Sequence, residues 1–433
     1  MPVDPVSTRS LSERIREHRA LLAVIAIAEL AALVVVSSIN PHDHIDGEVY
    51  RLGAQALLDG KDLYNDLPLT EAGLPLPFIY PPFAAILFTP LALVSKGAST
   101  AVIMLISHVA LLTTLYVILR AAPFLAQHRH NAMLIAAGVL PLVTISEPVM
   151  ETLLYAQINL VLMALVVVDC LWRTDGKRKL PYPRGLLIGI AAGIKLTPLI
   201  FLLLPLLRRD VRTIFVSLLS FAGTALIGFV VSFNNAKDFW LSQIFATSNV
   251  SFGPEFTGDA SSYAGNQSMR SMLVKGPLPS SSAVFVLLAA VVLVLAVLGM
   301  VQALRQRDLP MAVTINGVLG LLLSPISWSH HWVWMIPAIV LVLGSALAHR
   351  DWPMLVASGT AAGFFVLGPH WSVPAGDGLE LEWNVAEHLV GNAYVYFGLT
   401  FIGVVAWRWW QGRRAPAPVS AAADDETAVG AGR

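Results

Sequence analysis

Apolar runs of roughly 17–25 residues, the length at which an α-helix crosses the hydrocarbon core of a bilayer, recur along most of this chain. Such a pattern commits the sequence to an all-α polytopic membrane protein. Composition agrees: of 433 residues 56% are hydrophobic and only 13% charged, where a soluble domain carries about 25% charged residues. The first run, Leu21–Ile39, follows "STRSLSERIREHR" and has no small-residue cleavage site after it, so it is read as a retained helix and not a signal peptide. A formal net charge of zero argues against a nucleic-acid footprint. The single cysteine, Cys170, lies in an apolar run and has no partner for a disulfide within the chain.

Lys and Arg concentrate on cytoplasmic loops. That rule places residues 1–20 inside as a basic arm, together with Arg120–His130, Arg173–Lys179, Arg208–Arg212, Arg305–Asp308 and a disordered tail, 411–433. Residues 21–410 then form one transmembrane unit with a first external loop at 40–79 and a long one at 234–282. Two segments resist simple threading. "YPPFAAILFTPLALV" (Tyr80–Val94) is rich in proline and short for a span; "GLLIGIAAGIKLTPLIFLLLPLL" (Gly185–Leu207) joins two basic loops, so it either crosses once against the rule or breaks near Lys195–Pro198 and returns. The expected total is about ten to twelve membrane helices, with span middles almost free of polar residues. A channel needs a polar path through the bilayer, and none is evident.

Polar chemistry gathers on the external side. "NPHDHIDGEVYRLGAQALLDGKDLY" (Asn40–Tyr64) follows the first span, and Val49, Leu52, Ala56 and Leu57 recur at helical spacing, predicting an interfacial amphipathic helix. Asp46 falls at its start, where a carboxylate is either a helix cap or a fixed general base. His42, Asp43 and His44 match no metal-ligand spacing, so no metal is expected. Tyr80 is an aromatic-belt residue or a site residue. Gln157 and Asn159 at a helix entrance are interhelical hydrogen-bond partners or substrate contacts; the preceding Glu147 and Glu151 are expected to be solvated. Lys195 is far from both basic flanks, in a Gly- and Pro-interrupted apolar run, and a cation there suits an anionic group such as a phosphate. In "SPISWSHHWVW", His330 and His331 can donate to a phosphate or a leaving group, while the tryptophans need only the membrane belt. Asn266 and Gln267 in the long loop are weaker candidates for substrate contact.

Six motifs in order, "HIDGEVYRLGAQALLDGKDLY", "LPFIYPPFAAILFTPLA", "EPVMETLLYAQINLVLMALV", "GIAAGIKLTPLIFLLLPLLRR", "NQSMRSML" and "SPISWSHHWVWMIPA", resemble the polyprenol-phosphate-mannose-dependent α-mannosyltransferases of actinobacterial envelopes, members of the GT-C glycosyltransferases. The resemblance runs from Asp46 to about Ala346. It implies a GT-C-like helix bundle in the bacterial plasma membrane, with its active site facing the periplasm. It also implies a polyprenyl phosphate mannose donor and a glycolipid acceptor, either a phosphatidylinositol mannoside or the lipomannan and lipoarabinomannan backbone. An α-1,2 linkage formed with inversion, and a catalytic acidic residue in the first external loop, go with it. That acid matches Asp46, with Asp43 as competitor. Lys195, His330 and His331 would then meet the donor phosphate, and Tyr80, Gln157, Asn159, Asn266 and Gln267 the sugars. No cofactor is called for, and the lack of a Gly-rich nucleotide loop agrees with a lipid-linked donor. A lipid-linked sugar transporter or flippase would be expected to show internal repeats, and none is convincing. An arabinosyl- or glucosyltransferase of the same architecture stays open.

Overall fold

The computed structural model describes residues 18–39, 44–65, 67–172, 181–244, 260–277 and 280–414. The described residues are helical, without a β-strand; an isolated bridge joins Asn266 to Trp328. The helices are α1 (Arg19–Ser38), α2 (Ile45–Leu58), α3 (Pro82–Ala92), α4 (Lys96–Ala121), α5 (Ala132–Thr144), α6 (Glu147–Leu154), α7 (Asn159–Leu171), α8 (Leu186–Ile194) and α9 (Leu203–Leu207). There follow α10 (Val211–Val231), α11 (Phe233–Asp238), α12 (Met269–Lys275), α13 (Ser282–Arg305), α14 (Leu309–Leu323), α15 (Met335–His349), α16 (Trp352–Leu367), α17 (Val385–Gly391) and α18 (Ala393–Arg414). Among the described residues five stretches are long and apolar enough to cross a membrane, and two bent pairs raise this to seven if each is one span. From seven, the lower end of the expected ten to twelve needs three of the five apolar helices of 10–17 residues to cross as well.

Three of the basic turns share one local design. Arg209, Arg307 and Arg350 each take the left-handed conformation, with φ of 55°, 58° and 55°. The next residue, Asp210, Asp308 or Asp351, donates its N–H back to Pro205, Ala303 or Ala346 at 2.8, 2.8 and 2.9 Å. That bond closes the preceding helix, and the same aspartate's side chain caps the following one at Thr213, Met311 or Met354. An arginine at a position that usually favours glycine costs about 1 kcal/mol, and two satisfied helix ends offset it. Helices α14 and α15 run from two of these turns toward Ser324 and His331, so those turns lie at the far end of the bundle from these residues.

The Gly185–Leu207 segment breaks and returns. A Cβ on Gly185 would meet Ser217 Oγ at 2.7 Å, one on Gly189 Phe221 N at 2.8 Å, and one on Gly193 Thr224 Cβ at 2.6 Å. The contacts advance together along α8 and α10, so the two helices are parallel, packed through a stripe of glycines spaced by four. Helix α9 leads through the Arg209–Asp210 turn straight into α10, so it runs the opposite way. The chain therefore enters with α8, reverses at Lys195, whose backbone is extended, and returns through the 3-10 turn Thr197–Leu202 and α9. Asp169 on α7 holds the start of α8, accepting from Gly185 and Ile188 N–H at 3.0 Å each.

The expected amphipathic helix is α2, with Val49, Tyr50, Ala54 and Ala56 buried. Lys96 bridges Glu48 at 2.9 Å and Glu71 at 2.8 Å, fixing the following connector across it. The span middles are not wholly apolar: Glu29 on α1 accepts from Thr144 at 2.9 Å and lies 3.3 Å from His108 on α4. Pairing of this kind is what an ionisable group needs inside a bilayer.

Because Gly189 touches α10 backbone, Gly189→Leu should force α8 off α10 at a cost of about 1–3 kcal/mol. A lower melting temperature in detergent, with Ala23→Leu on exposed α1 unchanged, is the expected result.

Candidate active site

A cavity of about 380 Å³ opens where α2, the 77–81 connector, the Tyr155–Gln157 bend, the Lys195 break and the 324–331 loop converge. Asp46 stands at the second position of α2. Its place is set by the next residue: Gly47 donates its N–H to Tyr155 O at 3.1 Å, and a Cβ there would meet the Ala156 Cβ at 2.8 Å. Ala156 takes φ 54°, turning the chain between α6 and α7 so that Gln157 faces the carboxylate.

The hydrogen bonds around Asp46 have a direction. Gln157 Nε2 donates to Asp46 Oδ2 at 2.7 Å, and Tyr50 OH donates to Gln157 Oε1 at 2.7 Å. With its proton so used, Tyr50 can only accept from Tyr80 OH, 3.1 Å away. Every donor therefore points toward the carboxylate, in a row whose members polarise one another. Burial first, then Tyr80 and the Asp46 charge, raises the Tyr50 phenol well above its ordinary range and keeps it a donor.

Lys195 faces the same cavity. Its Nζ lies 5.6 Å from the Tyr80 ring centroid, 3.4 Å from Asn159 Oδ1 and 3.2 Å from His331 Nε2. His331 Nδ1 accepts from the Trp328 N–H at 3.2 Å. A neutral His331 therefore carries its proton on Nε2, toward the lysine. A protonated Lys195 and this imidazole both present N–H along one contact, whereas an oxyanion could accept from both.

Asp46, Tyr80, Gln157, Lys195, His330 and His331 all line this cavity. Asn159 instead lines an adjoining cavity of about 70 Å³ and donates to His330 O at 3.2 Å. Asn266 and Gln267 do not reach the cavity wall: both are fully buried. Asn266 Oδ1 accepts from Ser268 and Ser327 N–H at 3.2 and 3.1 Å, and Gln267 Nε2 donates to Ala264 and Gly391 O at 2.8 and 2.7 Å. Their work is to fasten loops together. Asp43 and His42 lie outside the described residues; among the described residues no three His, Cys, Asp or Glu side chains gather into a possible metal site. Glu147 and Glu151, expected in solvent, are 1% and 5% exposed. Glu147 accepts from Trp371 Nε1 and Tyr394 OH at 2.8 Å each, because the chain after α16 folds back over α6. Sequence reasoning missed five aromatic residues on the cavity wall: Tyr50, Tyr155, Tyr263, Trp328 and Trp371. Trp328 reads in the sequence as a membrane-belt residue, and the other four carry no local signal that sets them apart.

A carboxylate at the end of a donor row and a lysine–histidine pair thus share one cavity of a polytopic membrane protein. The profile of glycosyltransferase family 87 matches residues 78–325. Two polyprenol-phosphate-mannose-dependent α-(1-2)-phosphatidylinositol mannoside mannosyltransferases are similar over most of their length. That of Mycolicibacterium smegmatis is 34% identical over 83% of this chain and 83% of its own. That of Mycobacterium tuberculosis is 35% identical over 83% and 84%. A polyprenol-phosphate-mannose-dependent α-(1-2)-phosphatidylinositol pentamannoside mannosyltransferase of M. tuberculosis is 28% identical over 92% and 89%. No solved structure matches. The chain belongs to glycosyltransferase family 87 and is a membrane glycosyltransferase.

Behind the cavity, Lys275 braces the wall. It is 3% exposed, donates to Asn266 O at 3.0 Å and lies 5.2 Å from the Trp383 ring centroid. Burial pushes its ammonium down to about 7, with the Glu380 carboxylate opposing. An unfolded lysine titrates near 10.4, so between those values the unfolded chain binds more protons and stability rises with pH; below about pH 7 the cost of the buried charge is fully present. Lys275→Met, which removes the charge, should thus compare more favourably with wild type at about pH 6 than at about pH 9. Melting temperatures of both proteins at the two pH values test this, and a difference independent of pH counts against it.

Proposed function

We propose that this protein transfers mannose from polyprenyl phosphate mannose to a phosphatidylinositol mannoside, forming an α-1,2 linkage with inversion on the periplasmic face. The observation that carries this reading is the meeting of Asp46 and the Lys195–His331 pair in one cavity, in a chain whose relatives bear those substrates in their names. An acceptor hydroxyl gives its proton to Asp46 as its oxygen bonds the anomeric carbon from the face opposite the phosphate. The bond from that carbon to the phosphate oxygen breaks, and the lipid phosphate leaves with the electron pair, held by Lys195 and His331. Inversion turns a β-linked mannosyl phosphate into an α-mannoside. His330 sits beside His331, with ring centroids 4.8 Å apart, and shares the phosphate end; Tyr80 and Gln157 hold the carboxylate from behind. The Arg–Asp turns at the far end of α14 and α15 favour a cytosolic location for that end, and hence an external cavity.

Purified protein supplied with radiolabelled polyprenyl phosphate mannose and phosphatidylinositol mannosides should yield a longer mannoside, its linkage read by glycosidase digestion. Donor that crosses a liposome without forming a glycosidic bond would assign the chain to lipid transport instead. Asp46→Asn should lower kcat by at least about 100-fold with the melting temperature kept. Lys195→Ala should raise the donor KM by about tenfold or more, the loss of one charged contact; an unchanged donor KM would leave Lys195 a packing role only.

A further inference from the structure

A tryptophan on a cavity wall is ordinarily turned so that its ring is buried and its N–H finds water or a partner. Trp371 has the partner but not the burial. Its N–H is tied down, to Glu147 Oε1 at 2.8 Å, while 38% of the residue stays exposed and its ring lines the active-site cavity. The turn that presents it is clamped: Gly368 has φ 57°, a Cβ there would meet Glu147 Cγ at 2.7 Å, and His370, 0% exposed, packs against Tyr394 at a centroid distance of 4.9 Å. Trp371 is therefore a ring held by a buried carboxylate that the proposed transfer chemistry does not use, packed beside the His370 ring at a centroid distance of 4.6 Å and still partly exposed at the cavity.

Space has been left for that ring. A Cβ on Gly265 would come within 2.9 Å of Trp371 Cη2 and 3.0 Å of Tyr263 Cε1. Tyr263 lies between Trp371 and Trp328, at centroid distances of 6.1 Å to each, and Trp328 is the residue whose N–H meets His331. The aromatic row thus leads away from the proposed phosphate end in two steps. Flat apolar faces beside a few fixed polar groups suit the C–H face of a hexopyranose. Trp371 also lies beyond residues 78–325, the part of the chain that matches the family profile.

We propose that Trp371 is the platform on which a sugar ring of the acceptor stacks, and that Gly265 and Glu147 exist in part to present it. This rests on the proposed transfer to a glycolipid acceptor and adds the residue that reads that acceptor. Steady-state rates with acceptor and donor varied separately test it. Trp371→Ala and Gly265→Ala are each expected to raise the acceptor KM by about five- to tenfold, the worth of one aromatic stack, with the donor KM unchanged. Trp371→Phe, which gives up the bond to Glu147 but keeps an aromatic face, should retain most of the wild-type acceptor KM. An acceptor KM unaltered in either alanine variant overturns the inference, as does a donor KM that rises in parallel. Equal losses for Phe and Ala assign Trp371 to bracing the loop and overturn it as well. Failure of the wild-type protein to make any mannoside defeats the proposed function itself, a result distinguishable from all of these.

Discussion

A cation below the surface of a bilayer needs polar partners, and the backbone that carries it needs some way to stop being a helix there. At Lys195 the second need is met by an extended break and the first only in part, by Asn159 Oδ1 at 3.4 Å, and the neighbouring architecture follows from the break. The helix that delivers it, α8, is only nine residues long, about 14 Å at helical rise and half of a hydrocarbon core. A helix this short has little stability of its own. It is held at its start by the Asp169 carboxylate and along its length by α10, approached closely through Gly185, Gly189 and Gly193. The reversal at Lys195 then releases backbone from regular hydrogen bonding where it borders a cavity, the circumstance in which a membrane protein tolerates it.

The carboxylate side is built by a different means. Asp46 sits on α2, whose 14 residues are short for a span, and its position is inherited from a backbone bond between Gly47 and Tyr155 and from the left-handed Ala156. The tyrosines and Gln157 behind it do not merely fill space, since their hydrogen bonds can be satisfied in one direction only. A carboxylate held this way is fixed before a substrate arrives; if it is the base proposed for the reaction, that is the condition under which electrostatic and proton-transfer contributions are largest.

How much of this was legible in the sequence depended on whether the signal was local. The α2 amphipathic pattern, Asp46 in its first turn, and a lysine among glycines and a proline in an apolar run were local, and the structure shows the helix and the break where they were expected. Asn266 and Gln267 were placed in the right region but on the wrong side of the wall, because an amide in a loop looks the same whether it meets a substrate or another loop. Glu147 and Glu151 read as solvated because nothing near them reveals that residues more than 200 positions later fold over α6. The same long-range folding hid Trp371. The tryptophans of "SPISWSHHWVW" carry a ready explanation in the interfacial belt, and that explanation absorbed Trp328, which lines the cavity.

The contact between Lys195 and His331 sets the character of the cavity. Trp328 fixes which imidazole nitrogen bears the proton, and it is the one facing the lysine at 3.2 Å. Two N–H groups facing each other repel unless one gives up its proton or an acceptor comes between them. The groups around Asp46 are matched donor to acceptor within the protein, but this pair is matched best by something that brings an oxyanion. In the proposed reaction a lipid phosphate would supply one, both as bound donor and as departing group, and the negative charge on its oxygens would grow as the sugar leaves. Under that proposal the pair gains most from its ligand late in the reaction, which is the order of affinities that accelerates a step instead of only tightening binding.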